Sequence, residues 1–252
     1  MGLRTEYAQG IFCWLEHSSN DPVAAAEFYK GLLGWTIDET DFGEMIYRTG
    51  QVEGSSVAGI VPAQGEMPPA WYSYVNVENA ELTTKAAEQA GATVVMPVTP
   101  IPEMGDFSVI LDPQGAPICI WQAKGTPGCE RVNDPGCLSL NQLNTTDPEA
   151  AMTFYETVFG WEFRKQEAPG EPYWGIYADG WLNGGMMKSP DGSCSWLVYF
   201  TATKALEDMV ADIGLAGGTV LAGPMEIPES RILVAADSTG VAFAIFEGRT
   251  DD

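Results

Sequence analysis

Three side chains able to do chemistry crowd one short segment, Gly10 to His17 (GIFCWLEH). They are the Cys13 thiol, the Glu16 carboxyl and the imidazole of His17, the chain's only histidine. The segment is aromatic and apolar, which suits a β-strand, and alternate strand residues face opposite sides. Cys13 and His17 then share one face, while Glu16 shares the other with Trp14. A thiol beside an imidazole suggests nucleophilic catalysis, although a surface or interface histidine also accounts for His17. A carboxylate on an apolar sheet face is costly unless something satisfies it. Glu16 is therefore either a general base or substrate anchor with a raised pKa, or a carboxyl paired internally with a backbone amide, Tyr72 or Tyr74.

The elements that must position these residues are written twice. Asp21 to Trp35 (DPVAAAEFYKGLLGW) returns as Asp147 to Trp161 (DPEAAMTFYETVFGW), with eight of fifteen positions identical. Trp71 returns as Trp196, and Asp112 with Gly115 returns as Asp237 with Gly240. A period of about 125 residues is the length of a domain, far beyond a solenoid repeat. In each copy the Asp caps a helix, Pro takes its first position and Gly stops it. Candidate strands follow at Thr36–Glu39, Glu44–Thr49 and Ser56–Val61, giving the order β-α-β-β-β. The order restarts at Trp71 after a Pro- and Gly-rich stretch. In the second half a strand at Cys137–Leu143 leads to a helix from Pro148 to Phe159, strands near Tyr173–Tyr177 and Gly184–Met187, and a helix near Lys204–Ile213. The expected class is α+β: four βαβββ modules paired into two tandem domains, 10–124 and 136–248, joined by a linker at 125–135, with curved mixed sheets and outer helices.

Composition narrows the partners. Acidic residues outnumber basic ones 35 to 12, for a net charge of -23. Such a surface repels nucleic acid and anionic membranes. Five Cys without CxxC spacing argue against a disulfide framework or zinc knuckle, and no apolar run reaches membrane-spanning length. The reading is a cytoplasmic protein with a small-molecule ligand, as monomer or homodimer. Its aromatic residues point the same way. Trp14, Tyr72, Tyr74 and Trp121 are expected on one face of the first domain, and Tyr173, Trp174, Trp181, Trp196 and Phe200 crowd the second. Aromatic-lined clefts with few polar groups suit flat organic ligands. Gly184 and Gly185, beside Met186 and Met187, are expected to let a ligand or backbone approach closely.

The Asp-Pro…Phe-Tyr…Gly-Trp helix, Gly59 and Gly185 near strand ends, and the Asp112-Pro113-Gln114-Gly115 turn together resemble the vicinal oxygen chelate superfamily. That superfamily includes glyoxalase I, extradiol dioxygenases, and bleomycin- and fosfomycin-resistance proteins. A tandem pair is most similar to the actinobacterial glyoxalase-like proteins, some labelled hydroxylases. The resemblance implies a U-shaped sheet in each domain with a cavity on its concave side. It also implies, in metal-using members, His, Glu or Gln on the first strand of each module and Glu on the last.

Carried over residue by residue, those positions hold other chemistry. The first-strand position falls on Trp14 and Leu140, the next module's near Tyr72 and Leu197, and the last-strand position on Cys119 and Ala244. No firm cofactor is implied, and a weakly held divalent ion is left to Glu16, whose counterpart is Gln142. Cys119 reads as a buried small hydrophobe or a reactive thiol. The candidate ligand-binding set is Trp14, Glu16, Tyr72, Tyr74, Cys119, Trp121, Leu140, Gln142 and Trp196, with Glu16 the candidate catalytic group. Three functions are open. One is a binder of a small apolar or aromatic metabolite without the usual metal. Another is a lyase, isomerase or hydroxylase that uses Glu16 as base. The third is a structural or partner-binding protein with filled cavities.

Overall fold

The repeated motif folds as its chemistry dictates. In a computed structural model, which describes residues 2–43, 45–65, 67–166 and 171–250, Pro22–Leu33 forms helix α1 and Pro148–Phe159 forms α3. Asp21 and Asp147 each accept a bond from a first-turn backbone amide, at 3.0 Å from Ala24 and 3.1 Å from Ala150. Gly34 and Gly160 end the two helices in the left-handed conformation, at φ 74° and 72°. Asn79 caps α2 (Ala80–Gln89), whereas α4 (Leu206–Leu215) has no side-chain cap and starts two residues later than its sequence suggests.

Sixteen strands complete the described fold. The first eight are β1 (Phe12–Ser19), β2 (Thr36–Asp41), β3 (Ile46–Val52), β4 (Ser55–Pro62), β5 (Ala70–Asn76), β6 (Thr93–Ile101), β7 (Gly105–Leu111) and β8 (Pro117–Ala123). The second eight are β9 (Leu138–Thr145), β10 (Glu162–Gln166), β11 (Tyr173–Ala178), β12 (Trp181–Lys188), β13 (Ser195–Thr201), β14 (Thr219–Ile227), β15 (Ser230–Ala236) and β16 (Ala242–Gly248). They form two eight-stranded mixed sheets of identical topology, β2-β3-β4-β1-β5-β8-β7-β6 and β10-β11-β12-β9-β13-β16-β15-β14. The class is α+β, built from two tandem pairs of βαβββ modules. At the centre of each sheet the first strands of two modules run antiparallel, and each is flanked by the parallel last strand of its own module. Strand β3 begins at Ile46; the expected start at Glu44 lies outside the described residues. Strand β10 (EFRKQ) has no apolar alternation to betray it, being a charged and largely exposed edge.

Each helix packs on its own sheet, the central strands of the two sheets meet directly, and the core pairs modules crosswise. Phe28, Tyr29 and Leu32 of α1 pack with Phe200, Met209 and Phe243 of the fourth module. Phe154, Tyr155 and Val158 of α3 pack with Val75, Ile118 and Ile120 of the second. Polar bonds repeat this crossing. Trp35 donates to the Gly136 carbonyl at 2.8 Å, and Trp161 donates to the Gly10 carbonyl at 2.6 Å. Tyr29 donates to Asp237 and Tyr155 to Asp112, both at 2.9 Å. Trp71 and Trp196 in turn donate to those two phenols. Trp196 therefore belongs to the interdomain core, against Tyr155, Trp161 and Phe12, and not to a ligand face.

One asymmetry breaks the repeat. His17 pairs with Asp237 at 2.7 Å in a fully buried contact, whereas Leu143 stands at the equivalent place beside Asp112. Burial raises the Asp237 carboxyl. The bond and charge of His17, with Thr239 and the Val241 amide, outweigh burial and hold it below the ordinary carboxylate range. Asp112, raised chiefly by burial, has no imidazole partner. The stabilising part of Asp237 is present above the unfolded aspartate pKa and is lost as pH falls through its lowered folded value. At neutral pH, Asp237→Asn is expected to cost about 1–3 kcal/mol and more than Asp112→Asn. Urea denaturation of the two variants checks this, with the gap closing only on acidification below the carboxylate range.

Candidate functional site

Strand β1 carries the site and the interface on opposite faces. Leu15 and His17 enter the interdomain core, while Trp14 and Glu16 face the other way, toward the Tyr72, Tyr74 and Trp121 side of the first sheet. A register shift between Phe12 and Trp14 turns Cys13 away from His17. Its thiol joins the cluster of Tyr72, Tyr74, Cys119 and Trp121, so the pairing of Cys13 with His17 expected from strict alternation does not form.

In register across β1, β5 and β8, Trp14 lies opposite Tyr74 and Tyr74 beside Cys119. The second sheet aligns Leu140, Tyr199 and Ala244 in the same way. The middle position is thus Tyr74, two residues beyond the expected Tyr72. Neither an indole, phenol and thiol nor a leucine, phenol and alanine makes an oxygen-and-imidazole donor set for a divalent ion. Among the described residues no three His, Cys, Asp or Glu side chains converge as a metal-binding group. The residues present do not fit the superfamily's metal centre.

Glu16 instead sits in a cradle of phenols. Tyr74 donates to Glu16 Oε1 at 3.0 Å, and the Tyr47 hydroxyl on β3 lies near enough to help lower the same carboxyl. Tyr47 itself receives the Trp14 indole N–H at 3.2 Å. Burial pushes the Glu16 carboxyl up, and the two phenols offset part of that rise. Burial also raises Tyr47 and Tyr74, with the Glu16 carboxylate adding to both. Tyr72, spent on the Pro68 carbonyl at 2.6 Å, is pushed up to about 12. The Cys119 thiol is raised far above its ordinary value, first by burial and then by Glu16, so it behaves as a small hydrophobe. Trp121 gives its N–H to the Thr126 carbonyl at 3.1 Å. Glu16 and Trp14 both keep part of their surface exposed, while Tyr72, Tyr74, Cys119 and Trp121 are buried.

The second domain repeats the cradle with an amide. Tyr199 donates to Gln142 Oε1 at 3.0 Å, and Gln142 donates to Asn144 at 2.9 Å. Tyr173 occupies the place of Tyr47. Room for both tyrosines comes from Gly59 and Gly185, where a Cβ would overlap the Tyr47 or Tyr173 hydroxyl. The two glycines lie inside strands β4 and β12, and the space they leave is taken by the chain's own phenols. Gly184 likewise abuts the Asn141 carbonyl and Phe12. Sequence reasoning passed over Tyr47 and named Tyr173 only among the aromatic residues of the second domain; their spacing of one repeat, each upstream of a repeated glycine, was the available signal. Two surface clefts of about 360 and 420 Å³ lie elsewhere, beside Tyr7 and Lys124 and beside Asn133 and Phe246.

Because the folded Glu16 pKa is raised, its favourable contribution is complete below the unfolded glutamate pKa. It is lost as pH rises through the folded value. Glu16→Gln is therefore expected to stabilise the chain at neutral pH, read as a higher Tm than wild type that converges on acidification. Tyr74→Phe removes a donor to the carboxylate and should move the Glu16 titration, followed by its infrared carboxyl band, further upward.

Comparison with known proteins gives the lineage. The glyoxalase-like domain family matches residues 14–121. "Putative glyoxylase CFP32" of Mycobacterium tuberculosis is 34% identical over 257 residues, covering 98% of each chain. "Anthracycline biosynthesis protein DnrV" of Streptomyces peucetius is 29% identical, covering 97% of this chain and 96% of its own. Among solved structures, the Mn(II)-bound glyoxalase from Novosphingobium aromaticivorans aligns with a TM-score of 0.69 at 12% identity, over 97% of this chain and 84% of that one. An extradiol ring-cleaving dioxygenase from B. fuscum aligns at 0.67 and 13%, over 98% and 74%. At such identity these two structures speak for the fold alone. With the fold, the repeated motifs and a relative similar from end to end in agreement, this chain belongs to the glyoxalase-like family of the vicinal oxygen chelate superfamily.

Proposed function

We propose that the chain binds a small apolar or aromatic metabolite on its concave faces and does so without the superfamily's usual metal centre. One observation carries this reading: a carboxyl, held by two phenols, remains partly exposed on an aromatic sheet face whose metal positions are Trp14, Tyr74 and Cys119. Such a face offers stacking area together with a single hydrogen-bonding point, the pattern of sites for flat organic molecules. The relatives named for anthracycline biosynthesis agree with that class, since anthracyclines are flat, oxygenated polycyclic aromatics. Met67, Met104 and Ile101 pack against the aromatic cluster. Thioether side chains repack readily, so a ligand can enter by moving them.

The raised Glu16 carboxyl favours a second reading, in which the bound molecule is transformed. Glu16 then takes a proton from the carbon next to a ligand carbonyl, as in a lyase or isomerase, and returns it elsewhere. A weakly held divalent ion would belong to this reading.

Fluorescence titration of the full chain with 1,8-dihydroxyanthraquinone tests the first reading. Quenching through Trp14 is expected to saturate, to persist unchanged in excess EDTA, and to weaken about tenfold in Trp14→Leu, roughly the loss of one aromatic contact. Binding that disappears with EDTA and returns with added Mn²⁺ or Zn²⁺ would reverse the metal-free reading.

A further inference from the structure

Positions 16 and 142 are the same place in two copies of one sheet. Glu16 pairs in register with Tyr72 and Gly59, and Gln142 with Leu197 and Gly185. The same two phenols stand around each, Tyr47 and Tyr74 in one domain and Tyr173 and Tyr199 in the other. What differs is the group they hold and the wall behind it. Trp14, Glu16, Tyr72 and Cys119 of the first face become Leu140, Gln142, Leu197 and Ala244 in the second.

An amide and a carboxyl of equal size differ in one respect that matters to a ligand. The Gln142 amide keeps a fixed acceptor and a fixed donor, already engaged by Tyr199 and Asn144, and never charges. The carboxyl donates when protonated and only accepts when ionised. A face that holds a carboxyl therefore recognises a ligand oxygen in a proton-dependent way; one that holds an amide does so independently of pH.

We propose that the two concave faces are inequivalent sites. The first takes an aromatic compound whose carbonyl or hydroxyl oxygen shares a proton with Glu16, and the second takes a neutral, more apolar compound read by the fixed amide of Gln142. This rests on the ligand-binding reading above and adds a division of labour to it. The direction of the Glu16 shift supports it, because a raised carboxyl changes from donor to acceptor nearer neutrality than an ordinary one. Leu140 and Leu197 support the second half: both stay half-buried beside the buried Gln142, so this face offers apolar area around an amide that never charges.

Isothermal titration of the full chain with 2-acetylnaphthalene, a neutral aromatic ketone with no titrating group, from about pH 5 to about pH 9 decides the matter. Two classes of site are expected, one weakening about tenfold as pH rises, the usual scale of one lost hydrogen bond between neutral groups, and one constant. Glu16→Gln should leave two pH-independent sites, and its fold is safeguarded by Gln142, which already fills an equal niche. Gln142→Glu should make both sites pH-dependent. Two sites with the same pH response in the wild type, a pH dependence that survives Glu16→Gln, or a single site in all overturns the division while leaving ligand binding in place. No binding at any pH overturns the ligand-binding reading and this inference together.

Discussion

A carboxylate in the turn of one domain accepts a phenol from the first helix of the other, and the molecule does this twice. Asp237 holds Tyr29 and Asp112 holds Tyr155, with Trp71 and Trp196 completing the two networks. These are buried polar groups, which must be satisfied where they stand or cost several kcal/mol. Each Asp also collects backbone amides of its own turn, Gln114 and Ala116 on one side and Thr239 and Val241 on the other. The turn is thereby folded around one oxygen of the carboxylate whose other oxygen docks the neighbouring domain. The helix motif and the turn motif recur because each copy meets the other half's partner.

That interface also fixes the concave faces. On β1, His17 is drawn to Asp237 and Leu15 into the core, which leaves Trp14 and Glu16 no choice but the hollow. A slip of one residue would exchange the two sets and bury Glu16 among Phe200 and Trp71. The convex side therefore sets the register, and the register places the carboxyl between its phenols. The first domain has the stronger version of this anchoring, an imidazole where the second has Leu143, and it is also the domain that keeps the acid.

Much of this was legible in the chain. The repeat, the Asp-Pro starts and Gly stops of α1 and α3, and the module order all follow from local rules that tertiary structure did not override. The concave placement of Trp14, Glu16, Tyr74 and Trp121 followed from alternation, and one of the offered partners of Glu16, Tyr74, is the one it uses. Alternation failed at Cys13, because a register shift is a property of two strands and leaves no mark in one. It failed for Trp196 because an aromatic residue fits either face of a sheet, and only the Tyr155 hydroxyl tells which side its indole N–H needs. Tyr47 was missed since its contact depends on Gly59, a residue that shows only as the lack of a side chain. Strand β10 was missed because an exposed edge makes no hydrophobic demand on its sequence.

The lining of the hollows bears on how such a fold changes chemistry. Three neighbouring strands bring three side chains into line, and that alignment is set by hydrogen-bond register regardless of which side chains occupy it. Exchange of small, hard donors for an indole and a phenol removes the ligands and also fills the volume an ion with its waters would need. Glu16 lies outside that aligned set, one strand repeat away and opposite Tyr72, and its Oε1 already accepts the Tyr74 hydroxyl. A carboxyl held this way is organised by donors rather than by a cation. In the binding function proposed above, proton affinity, tuned by burial against the phenols, is the variable through which this face acts on a ligand.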